Sequence, residues 1–299
     1  WIGGAALQTQ QWTQAHGDKI TVGMVQPNIP QELKWAPSFR EPTLERLRKL
    51  SEPLWAKDWL IWPEAAIPML YHEAMPFLLE IDEKAQSENT SLVTGILYDD
   101  YEQRKYFNSV LGLGMAMGLY HKQRLVPFGE YVPLEEYLRG IISFFDLPTS
   151  VIHPGPSEQN GLRTHDQYAI APSICYEVVY PSLVAQAAKR ADVLLTISND
   201  AWFGSSIGPL QHMQMAQMRA LETGRYMIRS TNNGVSGIID NRGSLLSKSE
   251  QFKQQTLSGE VRAMRGETPF MRWGNAPLLA LCVLMLALLL VHKRRSDKP

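Results

Sequence analysis

The stretch that most constrains this chain is the run from Gln167 to Glu177. Gln167-Tyr-Ala-Ile-Ala171 leads into Pro172-Ser-Ile-Cys-Tyr-Glu177, an apolar segment that stops at a cysteine, with a glutamate just beyond. It reads as a strand running up to a turn, with a thiol held where the strand ends. Open α/β sheets place their reacting groups at such strand ends. A free cysteine is also among the most buried residue types, so simple packing is the competing reading. For the thiol to react, the rest of the chain must supply a base, a charge partner and access.

At 299 residues and 44% hydrophobic, the chain can bury one large core. A net charge of -1 and a pI near 6.7 leave no electrostatic footprint for nucleic acid. The two cysteines, Cys175 and Cys282, are too few for a disulfide framework and sit in unlike surroundings. The seven histidines form no H-x-x-H or H-E-x-x-H cluster, so neither a metal nor another cofactor is expected. The sequence begins at Trp1 rather than Met. From this a missing N-terminal portion is expected, and any count of membrane helices is a lower bound.

Residues 1–19 are polar and glutamine-rich and read as a linker. A catalytic domain is expected over 20–268. Its strands are predicted at 20–26, 59–62, 91–98, 106–113, 167–175, 193–198, 226–231, 235–240 and 256–261. Helices are predicted at about 42–54, 73–88, 182–190 and 210–224, where leucines such as Leu44, Leu47 and Leu50 recur at helical spacing. Strands alternating with helices argue for an α/β sheet, and the consecutive strands after Tyr226 imply antiparallel pairs within it.

The last segment differs in kind. Residues 276–291 are almost wholly Leu, Ala, Val and Met, preceded by Trp273 and followed by Lys293-Arg294-Arg295. A bilayer core needs roughly 20 apolar residues, or about 17 at the short end. With Trp273 as an interfacial anchor and the basic cluster as a stop-transfer signal, a transmembrane helix is expected over 269–292. Residues 293–299 are then a basic cytoplasmic tail, and the preceding domain lies on the opposite side. A buried core helix is the alternative.

Three polar residues stand where predicted strands stop: Glu64 after Ile61-Trp-Pro63, Lys122 in His121-Lys-Gln-Arg124, and Cys175. A thiol with an ordinary pKa of about 8.5 needs a base or a neighbouring cation to attack at neutral pH. Glu64 can take the proton, and Lys122 can stabilise a thiolate and an oxyanion. The backbone N–H of Tyr176 is a natural second oxyanion donor.

Trp62-Pro-Glu64, His121-Lys122 with Pro127-Phe-Gly-Glu130, and Cys175-Tyr-Glu177 followed by Asn199-Asp-Ala-Trp-Phe203 resemble the carbon–nitrogen hydrolase (nitrilase) superfamily over about residues 20–261. The resemblance implies a four-layer αββα sandwich, followed here by the C-terminal transmembrane helix. The runs Gln26-Pro-Asn-Ile-Pro-Gln-Glu-Leu-Lys-Trp35, Pro127–Pro133 and Asn199–Gly204 are similar to the membrane branch of that superfamily, the apolipoprotein N-acyltransferases. That likeness implies Glu64 as general base, Lys122 as stabiliser of thiolate and oxyanion, and Cys175 as nucleophile. It further implies Glu130 as the group that positions Lys122, Tyr176 and Glu177 as pocket lining, and Trp35 on a loop at the mouth. Glu130 and Glu177 read equally well as structural ion-pair partners.

The implied reaction is ping-pong acyl transfer. The donor is a phospholipid and the intermediate a cysteine thioester. The acceptor is the α-amine of a diacylglyceryl-cysteine at a lipoprotein N-terminus. The implied setting is a monomer in the bacterial inner membrane, multi-pass, with its catalytic domain facing the periplasm. An apolar patch of Leu138, Ile141, Ile142, Phe144 and Phe145 suits either an acyl-chain entrance dipping into the bilayer or an ordinary core helix. Met213, Met215 and Met218 suit an adaptable acyl pocket or core packing. Two rival readings stay open: a membrane-tethered amidase or nitrilase using the same three residues, and a catalytically dead scaffold that binds lipidated proteins.

Overall fold

Residues 10–127, 129–131 and 152–296 are described by the computed structural model. Two sheets lie face to face. The first has six strands: β1 (Thr13–Gln26), β2 (Trp59–Ile61), β3 (Ser91–Asp100), β4 (Lys105–Gly114), β6 (Leu119–His121) and β13 (Gln255–Gly266), in the order β13-β1-β2-β3-β4-β6. The second has seven: β5 (Ala116–Met117), β7 (Leu162–Thr164), β8 (Ala169–Ile174), β9 (Val193–Ser198), β10 (Met227–Thr231), β11 (Gly237–Ile239) and β12 (Leu245–Lys248), in the order β12-β11-β10-β9-β8-β7-β5. Helices α1 (Arg40–Ser51) and α2 (Tyr71–Ser87) cover the first sheet, and α3 (Pro181–Ala188) and α4 (Gly208–Thr223) cover the second.

Strand alternation builds these four layers. Side chains along a strand point to opposite faces, so one strand serves two cores. Val22 and Met24 enter the core between the sheets, whereas Val25 packs under α1 and α2. Val193, Leu195 and Ile197 likewise face inward, and Leu194 meets α4. Each such fully buried side chain stabilises the fold by about 1.5–3 kcal/mol. The helices complete the outer layers with residues three or four apart: Leu44 and Leu47 on α1, and Phe77, Leu78 and Ile81 on α2. Strands β1, β2 and β3 run parallel, as do β8, β9 and β10, while β10–β11 and β3–β4 are antiparallel. The parallel strands aim their carboxyl ends, with Glu64 and Cys175 just past them, at one end of the sandwich.

Several boundaries differ from the sequence reading. The expected linker is partly strand, because β1 begins at Thr13 and pairs with β13 as far as Gly266. Its first residues are polar and mostly exposed, so hydrophobic alternation cannot mark them. Instead they are fixed by Thr13 donating to the Gly224 carbonyl at 2.8 Å and by His16 meeting Asp192 at 2.7 Å. The short strands β7 and β12 also escaped the pattern. Met213 lies in the core under α4, but Met215 and Met218 are exposed, so the three do not line one pocket. The patch from Leu138 to Phe145 lies outside the described residues.

The C-terminal region divides in two. Helix α5 (Pro269–Trp273) is capped by the Thr268 side chain and buries Met271 against α3 and α4. Gly274, in the left-handed region at φ 54°, then ends it before α6 (Ala276–Ser296) begins. The single segment expected over 269–292 is therefore broken at Gly274. The large apolar side chains of α6 from Leu278 to Leu290 are 52–66% exposed, and the unbroken run of described side chains stops at Leu290. Among the described residues no helix is long and apolar enough to cross a membrane.

Candidate active site

Glu64 follows β2 through Trp62 and Pro63, and it is buried where the first sheet ends. Its carboxylate accepts at both oxygens: from Asn108 Nδ2 on β4 at 2.7 Å, and from the Asn199 backbone N–H beyond β9 at 2.7 Å. The second bond crosses between the sheets, so Glu64 is held by both halves of the sandwich. Lys122 directly follows β6, and its side chain is 1% exposed. Its ammonium lies 2.7 Å from Glu130 and 3.7 Å from Glu64. Burial opposes the lysine charge, but Glu64, Cys175 and Glu130 around it outweigh that and hold its pKa above the usual lysine range.

Glu130 is fixed in turn. One of its oxygens accepts from Lys122 and, at 3.3 Å, from Asn108, and the other accepts the Val126 N–H at 2.8 Å. Removing either partner of so buried a pair would leave an uncompensated charge, at a cost of about 3–5 kcal/mol.

Cys175 begins the turn after β8 with φ 50°, a left-handed conformation that strains a side chain bearing a Cβ. Two contacts hold it there. Glu177 Oε2 accepts the Ile174 N–H at 2.7 Å, and His212 Nε2 sits 3.0 Å from the Cys175 carbonyl. A carbonyl oxygen only accepts, so Nε2 carries a proton. Behind His212 is a buried network: Asp200 Oδ1 lies 3.1 Å from His212 Nδ1, and Asp200 Oδ2 accepts from Arg229 at 2.7 Å. Ser198 at the end of β9 donates to Asp200 at 2.7 Å. Burial disfavours the Asp200 carboxylate, but Arg229, His212 and Ser198 hold its pKa well below the usual range. The cysteine keeps partial exposure while protein atoms crowd its thiol. Burial, then the Glu64 charge, push the thiol pKa up to about 12 against the pull of Lys122 and Ser198. At rest the sulfur is therefore a neutral thiol.

The structure brings Glu64, Lys122, Glu130 and Cys175 into one cluster. Glu177 is fully buried and acts as a brace. Beyond the Ile174 bond, its Oε1 accepts from Tyr120, Gln123 and Arg124, tying the lysine loop to the cysteine turn. Among the described residues its hydrogen bonds come from backbone N–H groups and the Tyr120 hydroxyl. Tyr176 packs its ring edge-on against Tyr180 at 5.2 Å. Trp35 is 42% exposed on the turn after β1. Its neighbour Lys34 goes the other way: it is 3% exposed, and its ammonium donates to the Glu64 carbonyl at 3.1 Å. Gln31 on the same turn accepts from Asn199 at 2.7 Å.

Sequence reasoning missed Lys34, Asn108, His212 and Arg229. Lys34 adjoins Trp35, and Asp200 belongs to the Asn199–Gly204 run. His212 and Arg229 carried no signal, because only folding places a helix and a strand behind the thiol. Among the described residues, no group of three or more His, Cys, Asp or Glu is arranged to hold a metal ion.

Comparisons with known proteins bear on the family and the fold. The chain is 47% identical to an apolipoprotein N-acyltransferase of Azotobacter vinelandii over 98% of its own length and 58% of that protein. It is 40% identical to one from Vibrio vulnificus over 98% of its length and 60% of that protein. The chain thus spans a little under two thirds of the length of these curated relatives. Among solved structures, Saccharomyces cerevisiae Nit3, of the nitrilase superfamily, matches at TM-score 0.62 and 17% identity, over 83% of this chain and 93% of that one. A carbon-nitrogen hydrolase from Helicobacter pylori matches at TM-score 0.60 and 16% identity, over 81% and 88%. At such identities these two likenesses establish the nitrilase-like sandwich alone. The carbon-nitrogen hydrolase family pattern itself runs through residues 21–270, from the first strand to the short helix that closes the domain, and on that ground the chain belongs to the carbon-nitrogen hydrolase family.

Proposed function

We propose that the chain is the catalytic part of an apolipoprotein N-acyltransferase, moving an acyl chain from a phospholipid to the N-terminal amine of a diacylglyceryl-lipoprotein. The observation that carries this reading is the 40–48% identity to proteins of that name, kept over nearly the whole chain. The cluster of Cys175, Glu64 and Lys122 supports the chemistry. Cys175 attacks the ester carbonyl of the donor while Glu64 takes the thiol proton. Lys122 and the Tyr176 N–H stabilise the oxyanion. The tetrahedral adduct expels the lysophospholipid alkoxide, which takes the proton back from Glu64 and leaves a thioester on Cys175. The lipoprotein amine then attacks that thioester and gives a proton to Glu64. Collapse forms the amide and releases the sulfur, which is reprotonated. Glu130 holds Lys122 in place throughout.

The same proposal takes the protein as a monomer in the bacterial inner membrane with this domain on the periplasmic side. It takes α6, continued through Val291, as a membrane span with Lys293 at its inner edge. The exposed apolar surface of α6 favours this over burial in a core, since burying it within the domain would leave no such surface. Trp202, Phe203, Ile207 and Leu210 are 43–72% exposed on the segment that carries Asp200 and leads into α4. They give the site apolar surroundings suited to a lipid donor. A hydrolase acting on small amides is the rival that the family leaves open.

Intact-protein mass after incubation with phospholipid in detergent separates the two. An added acyl mass that hydroxylamine removes, and that Cys175→Ala lacks, is the expected result. No adduct across several lipid and detergent conditions would overturn the phospholipid-donor mechanism.

A further inference from the structure

A count of charge around the thiol leaves the recognised residues short of a cation. Glu64 and Glu130 bring two negative charges and Lys122 one positive, all buried or nearly so. Attack on a carbonyl adds another negative charge at the sulfur or the oxyanion while the proton is in transit. Uncompensated charge in a water-poor site is expensive, and the site must hold more positive charge than Lys122 supplies.

That charge is present on the turn after β1. Lys34 is 3% exposed, although lysine is almost never fully buried unless paired, and its ammonium reaches the backbone carbonyl of Glu64 at 3.1 Å. The turn that carries it also places Trp35 on the surface and Gln31 against Asn199, whose own N–H holds the Glu64 carboxylate. We infer that Lys34 is a second positioning cation of this site. Its charge balances the Glu64–Cys175 pair, and its hydrogen bond latches the Gln31–Trp35 turn to the general base. Its hydrogen bond goes to the Glu64 backbone carbonyl, so it acts through Glu64 and through the field at the sulfur. The inference rests on Cys175 as nucleophile and on nothing about the acyl donor.

The titration pattern agrees with this placement. Burial lowers the Lys34 pKa to about 8, opposed by the Glu64 and Cys175 charges, so the ammonium is charged at neutral pH and discharges just above it. The charged and titratable groups facing the thiol are Glu64, Lys122 and Asp200, together with Lys34. Glu130 acts through Lys122, and His212 touches the Cys175 carbonyl.

The test is the iodoacetamide labelling rate of Cys175, followed by peptide mass across pH 6 to 10, in the parent protein, Lys34→Met and Lys34→Arg. Labelling needs neither phospholipid nor acceptor. A protein that forms no thioester can therefore still pass or fail this test, and the two failures are distinguishable. Loss of a nearby cation moves a thiol by about one pH unit or more, so Lys34→Met is expected to label roughly tenfold more slowly at pH 7.5. Lys34→Arg should stay close to the parent there. The parent should show an inflection near pH 8 that Lys34→Arg, with a guanidinium that does not titrate, lacks. If Lys34→Met does not fold, the comparison of parent with Lys34→Arg decides alone. Superposable profiles for the parent and Lys34→Arg through pH 8, or for the parent and a folded Lys34→Met, would overturn the assignment.

Discussion

Gly95→Ala is the sharpest probe of how the fold positions Glu64, the proposed base. Gly95 lies on β3 beside the bend that carries Glu64. Its N–H donates to the Pro63 carbonyl at 3.2 Å, and its carbonyl accepts from Ala66 at 3.0 Å. A Cβ there would stand 2.6 Å from the Ala65 nitrogen and the Pro63 oxygen, and 2.7 Å from the Glu64 Cα. All three are backbone atoms, and Ala65 is already in the left-handed region at φ 44°, so no side chain can rotate away. Restoring ordinary contact requires the Glu64 bend to retreat by about 0.8 Å, and overpacking of this kind costs about 1–3 kcal/mol. A misplacement near 1 Å in a catalytic group costs on the order of 100-fold in rate. Acyl-enzyme formation, timed by quenched intact mass, should therefore fall about 100-fold. The melting temperature should drop by a few degrees, roughly 2–4 °C per kcal/mol in a domain of this size. The Cys175 turn lies on the other sheet and should still label with iodoacetamide. A variant that forms acyl-enzyme within twofold of the parent rate would refute the claim that Gly95 sets the position of Glu64.

Two further outcomes test the polar framework. Glu64→Gln keeps the size of the side chain but removes the proton acceptor, and acyl-enzyme formation is expected to fall about 10²–10⁴-fold; single-turnover mass measurements check it, and an unchanged rate would remove Glu64 from the role of base. Asp200→Asn leaves the buried Arg229 without its counter-charge and should cost about 3–5 kcal/mol at pH 7 by denaturant unfolding. Because the folded-state pKa of Asp200 lies below its unfolded value, its contribution is present above the unfolded pKa and is lost as pH falls through the folded one. The parent should therefore lose stability more steeply than Asp200→Asn in acid, and equal slopes would show that the carboxylate is not held low.

The three residues that cluster at the candidate site were legible in the sequence for a local reason. Glu64, Lys122 and Cys175 each follow a short apolar run closed by a turn, and that pattern marks a strand end whatever the rest of the chain does. The strands that are almost continuously apolar, such as 20–26 and 193–198, were equally readable, because burial on both faces demands apolar residues there. Thr13–Lys19 was not readable. A polar strand held by pairing with β13 and by His16 against Asp192 leaves no apolar period to detect.

What the sequence by itself determined is the set of strand-end groups and the apolar periods that make two helix-covered sheets. What only the tertiary structure decided is how those groups are held. Lys34 turns inward while Trp35 beside it faces outward. Asn199 reaches across from the second sheet to fix Glu64. His212, Asp200 and Arg229 converge from a helix, a turn and a strand behind Cys175. Each of these depends on a partner distant in the chain, and a buried charge or strained turn becomes tolerable only when folding supplies that partner.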